Sequence, residues 1–128
     1  MPQHHDGLTK RKPTGGRRRP YRKRRKREIG RDPLDAVIGE RKYIKVRTRG
    51  GGLKIRLMSD QYANVYDPSQ KKTVKAEILK VESNPSNRDY DRRGVITKGA
   101  IIVTKLGKAK VTSRPGQEGI INAILIKS

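Results

Sequence analysis

Apolar and polar residues alternate most regularly between residues 41 and 57. Aliphatic side chains stand at positions 44, 46, 53, 55 and 57, basic residues separate them, and three glycines occupy positions 50–52. A period of two is typical of a strand with one buried face, and two such runs around glycines predict a β-hairpin. We expect one face of this hairpin to be apolar. The other face is expected to carry the basic residues Lys45, Arg47, Arg49, Lys54 and Arg56.

Five further apolar segments follow, separated by turn-forming residues. They are residues 62–67, 73–82, 99–104, 109–113 and 120–127. The alternation in the second segment changes phase near Ile78, which predicts a β-bulge there. Residues 32–40, before the hairpin, are expected to form a short turn or helix. Short strands at a spacing of about 8–12 residues, with no long helical pattern, predict an all-β fold, either a small antiparallel barrel or a sandwich.

Residues 83–98 interrupt the strand pattern with a polar, charged segment. One helical turn is expected after Ser86. Basic side chains and a tyrosine make this loop a candidate RNA-binding element, since cations contact phosphates and an aromatic ring stacks on an unpaired base. Asp89 and Asp91 support the competing interpretation of an exposed loop held by salt bridges. The candidate RNA-binding residues are Arg88, Tyr90, Arg92, Arg93 and Lys98.

Positive charge is concentrated in the amino-terminal residues of the chain. The 128 residues include 33 Lys and Arg against 12 Asp and Glu, which gives a formal net charge of +21. Thirteen of the basic residues but only two of the acidic ones lie within residues 1–31. A segment this cationic, with so few apolar side chains, has no core of its own. We therefore divide the chain into a basic extension at 1–31, disordered when free, and a β domain at 32–128.

The composition of the extension indicates a polyanionic partner. Arginine outnumbers lysine in it nine to four, and arginine binds phosphate through two parallel hydrogen bonds and stacks on bases. Adjacent glycines let the backbone approach a phosphate closely. Prolines and glycines interrupt the positive charges, which favours a tail shaped to enter folded RNA over a solvated basic tail or a localisation signal. The predicted RNA-binding residues of the extension are Lys10, Arg11, Lys12, Thr14, Gly15, Gly16, Arg17, Arg18, Arg19, Tyr21, Arg22, Lys23, Arg24, Arg25, Lys26, Arg27 and Arg31.

The sequence offers few residues for catalysis, metal binding or membrane insertion. The chain has no cysteine, which excludes disulfides and thiolate metal sites, and no apolar segment approaches the about 18 residues that span a bilayer. The histidines, His4 and His5, lie in the extension, where no fold fixes a metal geometry. No nucleophile motif is present. We therefore expect no enzymatic activity, no cofactor or metal, no small-molecule substrate and no membrane association.

Four stretches of the chain resemble one known family. They are residues 11–17 (RKPTGGR), 84–88 (NPSNR), 96–102 (ITKGAII) and 107–119 (GKAKVTSRPGQEG). These stretches are similar to the eight-e family of small-subunit ribosomal proteins of archaea and eukaryotes, in particular to its short archaeal members. The resemblance implies a six-stranded barrel-like β domain, no catalytic activity and a location in the cytoplasmic ribosome.

The same resemblance implies the partners of the chain. They would be the ribosomal RNA of the small subunit and neighbouring small-subunit ribosomal proteins. Residues 10–31 would enter the RNA, and the loop at 88–98 would face it. Arg114, within the stretch 112–116, joins the predicted RNA-binding residues.

Two other function classes compete with this hypothesis. A free-standing nucleoid or chromatin protein would bind duplex DNA non-specifically through the same extension, but the extension lacks a regular helix or a minor-groove wedge. A small nuclease or RNA-modifying enzyme would need titratable side chains that converge in a pocket. The leading prediction is a structural constituent of the small ribosomal subunit that binds RNA mainly through phosphate contacts.

Overall fold

The chain divides into two units, Met1–Pro33 and Leu34–Ser128. The computed structural model describes residues 7, 9–20, 22, 23, 25, 27 and 30–126. The second unit is mostly β-structure, as predicted. Its strands are β1 Val37–Ile38, β2 Lys42–Arg47, β3 Leu53–Asp60, β4 Tyr62–Asp67, β5 Lys72–Ser83, β6 Ile101–Thr104, β7 Gly107–Val111 and β8 Asn122–Leu125. Its helices are α1 Arg88–Arg93 and α2 Pro115–Glu118, with a 3-10 turn at Arg49–Gly51.

Five strands close into a barrel in the order β4-β5-β6-β7-β8. Strands adjacent in the chain are antiparallel, and β4 closes the barrel by pairing in parallel with β8, for example at Val65 and Ala123. The barrel expectation is therefore corrected in two respects: five strands replace six, and one pair is parallel. The sequence pattern does not reveal this closure because it joins the first and last strands of the barrel, which are distant in the chain.

The remaining strands form a separate three-stranded sheet in the order β1-β3-β2. Strands β2 and β3 confirm the predicted hairpin and are antiparallel. Strand β1 lies within residues 32–40, so the prediction of a turn or helix there was wrong. It pairs in parallel with the end of β3 at Ser59 and Asp60. Two β-branched residues become extended because β3 offers them backbone partners, which the local sequence does not show.

The register of the β2–β3 hairpin contradicts the prediction of one apolar and one basic face. Ile44 lies opposite Arg56, and in the same way Val46 lies opposite Lys54. Directly opposed residues of an antiparallel pair point to the same side, so each face mixes aliphatic and basic side chains. The length of the connection at 48–52 sets this register. One residue more or one fewer would move every β3 side chain to the opposite face.

Small aliphatic side chains fill the interior of the barrel. Ala63 and Val65 on β4 are buried, whereas Tyr62 and Tyr66 of the same strand are exposed. Alanine and branched aliphatic side chains are enough to fill this interior, because a barrel of few strands is narrow. The predicted bulge near Ile78 is confirmed by a shift in the β5–β6 register. The core residues are Leu57, Ala63, Val65, Ala76, Ile78, Ile96, Ala100, Ile102, Ala109, Val111, Ile121 and Ala123.

Candidate nucleic-acid interface

A tight turn is a well-defined feature of the described extension. The Gly15 N–H donates to the Lys12 carbonyl oxygen at 2.9 Å, and the Lys12 N–H donates to the Gly16 carbonyl oxygen at 3.0 Å. Gly15 has a φ of 81°, in the left-handed region that glycine adopts without strain. Pro13 pre-sets the backbone angle at the start of the turn. The stretch 11–17 therefore encodes a short hairpin loop through its own proline and glycines.

This turn brings Arg11 and Arg17 opposite each other as an antiparallel bridge. Opposed residues of such a pair point to the same side, so two guanidinium groups flank one face of the turn. The Arg11 Nη1 donates to the Gly15 carbonyl oxygen at 3.2 Å. Two neighbouring cations repel each other unless an anion lies near both, which is the arrangement that suits a phosphate. The turn is local order that the prediction of disorder did not include, and the disorder of the free extension stays a prediction.

The other basic side chains of the described extension face solvent, apart from the half-buried Arg22. Among the residues of 7–31 that the structure describes, none is buried, which agrees with an extension that has no core. Arg22 is half-buried and its Nη1 donates to the Lys23 carbonyl oxygen at 3.4 Å. The predicted residues Tyr21, Arg24 and Lys26 lie outside the described residues, as do His4 and His5. The exposed basic residues are Lys10, Arg11, Lys12, Arg17, Arg18, Arg19, Lys23, Arg25, Arg27 and Arg31.

Helix α1 confirms the helical turn predicted after Ser86. Asn87 caps its start, where the side-chain oxygen accepts a hydrogen bond from the Asp89 N–H at 2.9 Å. Gly94 ends the helix with a φ of 64°, and its N–H and the next one donate back to carbonyl oxygens of the last turn. Both ends of this one-and-a-half-turn helix are thus fixed by local sequence.

Asn84 anchors the α1 loop and is 4% exposed. Its Nδ2 donates to the Val95 carbonyl oxygen at 2.7 Å, while its Oδ1 accepts from the Ser86 N–H at 3.1 Å and the Thr97 hydroxyl at 3.0 Å. Its own N–H donates to the Asp91 carboxylate at 2.8 Å. Sequence analysis missed this residue as a structural centre. The available signal was an Asn-Pro pair directly after a strand.

Arg93 is held within the protein by several partners. Its Nη1 lies 2.9 Å from the Asp35 carboxylate and its Nε lies 2.9 Å from the Asp89 carboxylate. The guanidinium carbon also lies 5.4 Å from the centre of the Tyr90 ring. The hydrogen bond to Asp35, together with Asp89, raises the pKa of Arg93. Arg93 therefore ties α1 to the segment before β1, a role that composition did not indicate.

The remaining cations of the α1 loop are exposed. Arg88 and Lys98 make no ion pair with any described residue. Arg92 lies 3.1 Å from the Asp89 carboxylate, but its side chain is 82% exposed. The structure shows the salt bridges that the second interpretation predicted. Basic side chains of the loop still face outward, and RNA binding by them stays a prediction.

The stretch 112–119 forms helix α2 and packs its end against β3. Arg114 precedes the helix, its side chain is exposed, and Pro115 occupies the first turn. Gly119 ends the helix with a φ of 74°. A Cβ at Gly119 would lie 2.6 Å from the Ile55 Cγ2, so only glycine fits against β3. This packing accounts for the glycine at the end of the stretch without any contact to RNA.

The described part of the chain offers no cluster of His, Cys, Asp or Glu side chains that could hold a metal ion. Within the same residues, no helix combines the length and apolar character needed to cross a membrane.

A family model agrees with the resemblance seen in the four sequence stretches. The model of ribosomal protein S8e matches residues 5–126, which is nearly the whole chain. The chain belongs to the ribosomal protein S8e family.

Three archaeal relatives are similar to this chain over most of its length. Small ribosomal subunit protein eS8 of Nanoarchaeum equitans is 58% identical over 106 residues, which are 83% of this chain and 84% of the relative. The eS8 protein of Sulfurisphaera tokodaii is 52% identical over 118 residues, 91% and 92% of the two chains. That of Sulfolobus acidocaldarius is 50% identical over 126 residues, 97% and 98% of the two chains.

Membership of the S8e family decides several of the predictions. It confirms the resemblance seen in the four sequence stretches. It also confirms the predicted location in the cytoplasmic ribosome. It also confirms that the chain is not an enzyme.

Proposed function

We propose that this chain is a structural constituent of the small ribosomal subunit and binds its ribosomal RNA mainly through phosphate contacts of the basic extension. The archaeal relatives are named as small ribosomal subunit proteins. The observation that carries the proposal is the exposed turn that sets Arg11 opposite Arg17, with two more arginines directly after it. Arg17, Arg18 and Arg19 make no ion pair with a described residue.

The binding mechanism is electrostatic. Each phosphate that a basic side chain neutralises releases condensed counterions, so the affinity falls steeply as salt rises. Arginine adds geometric fit because its planar fork binds two phosphate oxygens at once. Ordering the extension on RNA costs conformational entropy, which many charge-assisted hydrogen bonds offset.

The α1 loop supplies a second proposed contact. Arg88, Arg92 and Lys98 are available for phosphates, and Tyr90 offers a ring for an unpaired base. We assign Arg93 mainly to holding the helix in place, given its two carboxylate partners. Neighbouring small-subunit proteins are the other proposed partners, and Arg114 is a further candidate contact to RNA.

Replacing Arg17, Arg18 and Arg19 with glutamine tests this function. We expect the slope of log affinity against log salt for small-subunit ribosomal RNA to become shallower by roughly two to three, because three phosphate contacts are lost. Filter binding at several salt concentrations measures the slope. The matched control replaces three exposed barrel lysines, Lys72, Lys80 and Lys110, with glutamine and should change the slope less.

Two outcomes of this experiment would contradict the proposal. One is an unchanged slope in the arginine variant, and the other is an equal change in the barrel control. Sedimentation of the wild-type protein adds a separate test, because a ribosomal protein migrates with small subunits in moderate salt whereas a nucleoid protein does not.

A further inference from the structure

The β2–β3 hairpin becomes more exposed toward its tip. The term hairpin arm is used for residues 42–56. Along β3 the exposed fraction rises from 0% at Leu57 to 44% at Ile55 and 70% at Leu53. Four strand residues extend by about 13 Å, so the tip of the arm lies about that far along the strand from the buried Leu57. Strand β2 is exposed along most of its length and forms an edge of its sheet.

Most cations of the hairpin arm lack an acidic partner among the residues that the structure describes. Six basic residues and no acidic residue occur within 42–56. The following residues of the arm make no ion pair with any described residue: Lys42, Lys45, Arg47 and Arg49. An exposed surface of one sign, with no internal counter-charge, is complementary to a polyanion.

Strand β3 of the arm is fastened to helix α2, from next to the tip to the base. The Lys54 Nζ donates to the Gln117 Oε1 at 3.2 Å, and the Arg56 Nε donates to the Gly116 carbonyl oxygen at 3.0 Å. These bonds hold β3 in position while β2 stays uncovered. The arm is therefore preorganised and presents β2 and its tip without further folding.

The register of the hairpin decides what the arm presents. On one face, Lys45 lies opposite Ile55 and Arg47 lies opposite Leu53. On this face a row of cations on β2 thus lies beside a row of exposed aliphatic side chains on β3. The wide, shallow minor groove of an RNA duplex offers the matching surface, since phosphates border it and riboses lie between them. A purely electrostatic contact would leave the aliphatic side chains exposed to water.

We propose that the hairpin arm is an additional RNA-binding element that lies across the minor groove of a ribosomal RNA duplex. Lys45 and Arg47 contact phosphates. Leu53 packs against a ribose, together with the part of Ile55 that Gly119 leaves exposed. The inference rests on the proposed function, because it takes ribosomal RNA as the partner. The absence of any acidic residue in 42–56 favours RNA over a strand of a neighbouring protein added to the free edge of β2.

A tethered cleavage reagent tests this placement in the full-length protein. Because the chain has no cysteine, one introduced cysteine gives a unique attachment point for an iron–EDTA group that generates hydroxyl radicals. The arm position is Leu53→Cys, the extension position is Thr14→Cys, and the control is Ser69→Cys in the exposed turn between β4 and β5. Each protein is bound to small-subunit ribosomal RNA, and strand breaks are mapped by primer extension.

The expected result is strong cleavage from Leu53→Cys at nucleotides that Ser69→Cys leaves intact. Cleavage from Thr14→Cys without cleavage from Leu53→Cys would overturn the arm proposal while the proposed function stands. Cleavage from Leu53→Cys at the same nucleotides as from Ser69→Cys, and no stronger, would also overturn it. Failure of the wild-type protein to bind small-subunit RNA would remove the proposed function and this inference together.

A charge variant of the arm gives an independent readout. Lys45→Gln with Arg47→Gln should make the salt slope shallower by about 1.4 to 1.8, because two phosphate contacts are lost. Lys80→Gln with Lys110→Gln removes the same charge from the barrel and should change the slope less. Equal changes in the two double variants would mean that net charge alone matters, which overturns the arm as a specific element.

Discussion

Single side chains determine the shape of the α1 loop. Asn84 joins two backbone groups and a hydroxyl, and Arg93 bridges Asp35 and Asp89. In the described chain, every buried side-chain nitrogen or oxygen has a hydrogen-bond partner. A satisfied polar network favours one loop conformation, because the loss of any member leaves the others unpaired where water is scarce. The basic residues of the loop are therefore presented by a rigid support.

The substitution Asn84→Ala should destabilise the protein by about 2–3 kcal/mol, because buried backbone groups lose their partner. Asn87→Ala is the matched control in the same loop. Its side chain caps α1 at an exposed position, so its expected effect is about 1 kcal/mol. Urea unfolding of the two variants measures the difference. Equal destabilisation would argue against Asn84 as the centre of the loop.

Sequence reasoning succeeded where a residue acts on its near neighbours. The helical turn after Ser86 is an example, because Asn87 and Gly94 fix both of its ends locally. Gly119 illustrates the opposite case, since the side chain that excludes a Cβ there belongs to Ile55 and reaches it only through the fold. Arg93 is a similar case, because nothing in the sequence reveals the Asp35 beside it, and its contact with RNA stays a prediction.

The positions of strands follow from the sequence, whereas their pairing does not. Strands β4 and β5 and the bulge at Ile78 lie where alternation predicts them. The parallel contact of β4 with β8 and the separate sheet of β1, β3 and β2 depend on contacts between distant segments. The β2–β3 register depends on the length of the connection at 48–52. A register shift by one residue moves the side chains of a strand to the opposite face of the sheet. Alternation alone therefore does not predict which side chains of β2 and β3 share a face.

Paired cysteines test this register directly. Because Val46 lies opposite Lys54, the double variant Val46→Cys with Lys54→Cys should form an intrachain disulfide on mild oxidation. The control Val46→Cys with Leu53→Cys places the two thiols on opposite faces and should stay reduced. Mass spectrometry of unreduced peptides distinguishes them. Preferential oxidation of the control pair would support the apolar-face register that the sequence pattern predicts.

Charge is the dominant property of the whole molecule. With 33 basic residues and 12 acidic residues, internal ion pairs leave an excess of 21 positive charges even if every carboxylate is paired. This excess is spread over the exposed extension, the α1 loop and the hairpin arm. The proposed RNA partner would account for all three. Each presents more cations than carboxylates.

Hydroxyl-radical footprinting of small-subunit ribosomal RNA tests the role of the extension most directly. The wild-type protein should protect several discrete groups of nucleotides. The variant with Arg17, Arg18 and Arg19 replaced by glutamine should lose protection at one group and retain the others, because its barrel domain is unchanged. Identical footprints from the two proteins would contradict the account, since the extension would then make no contact of its own with the RNA.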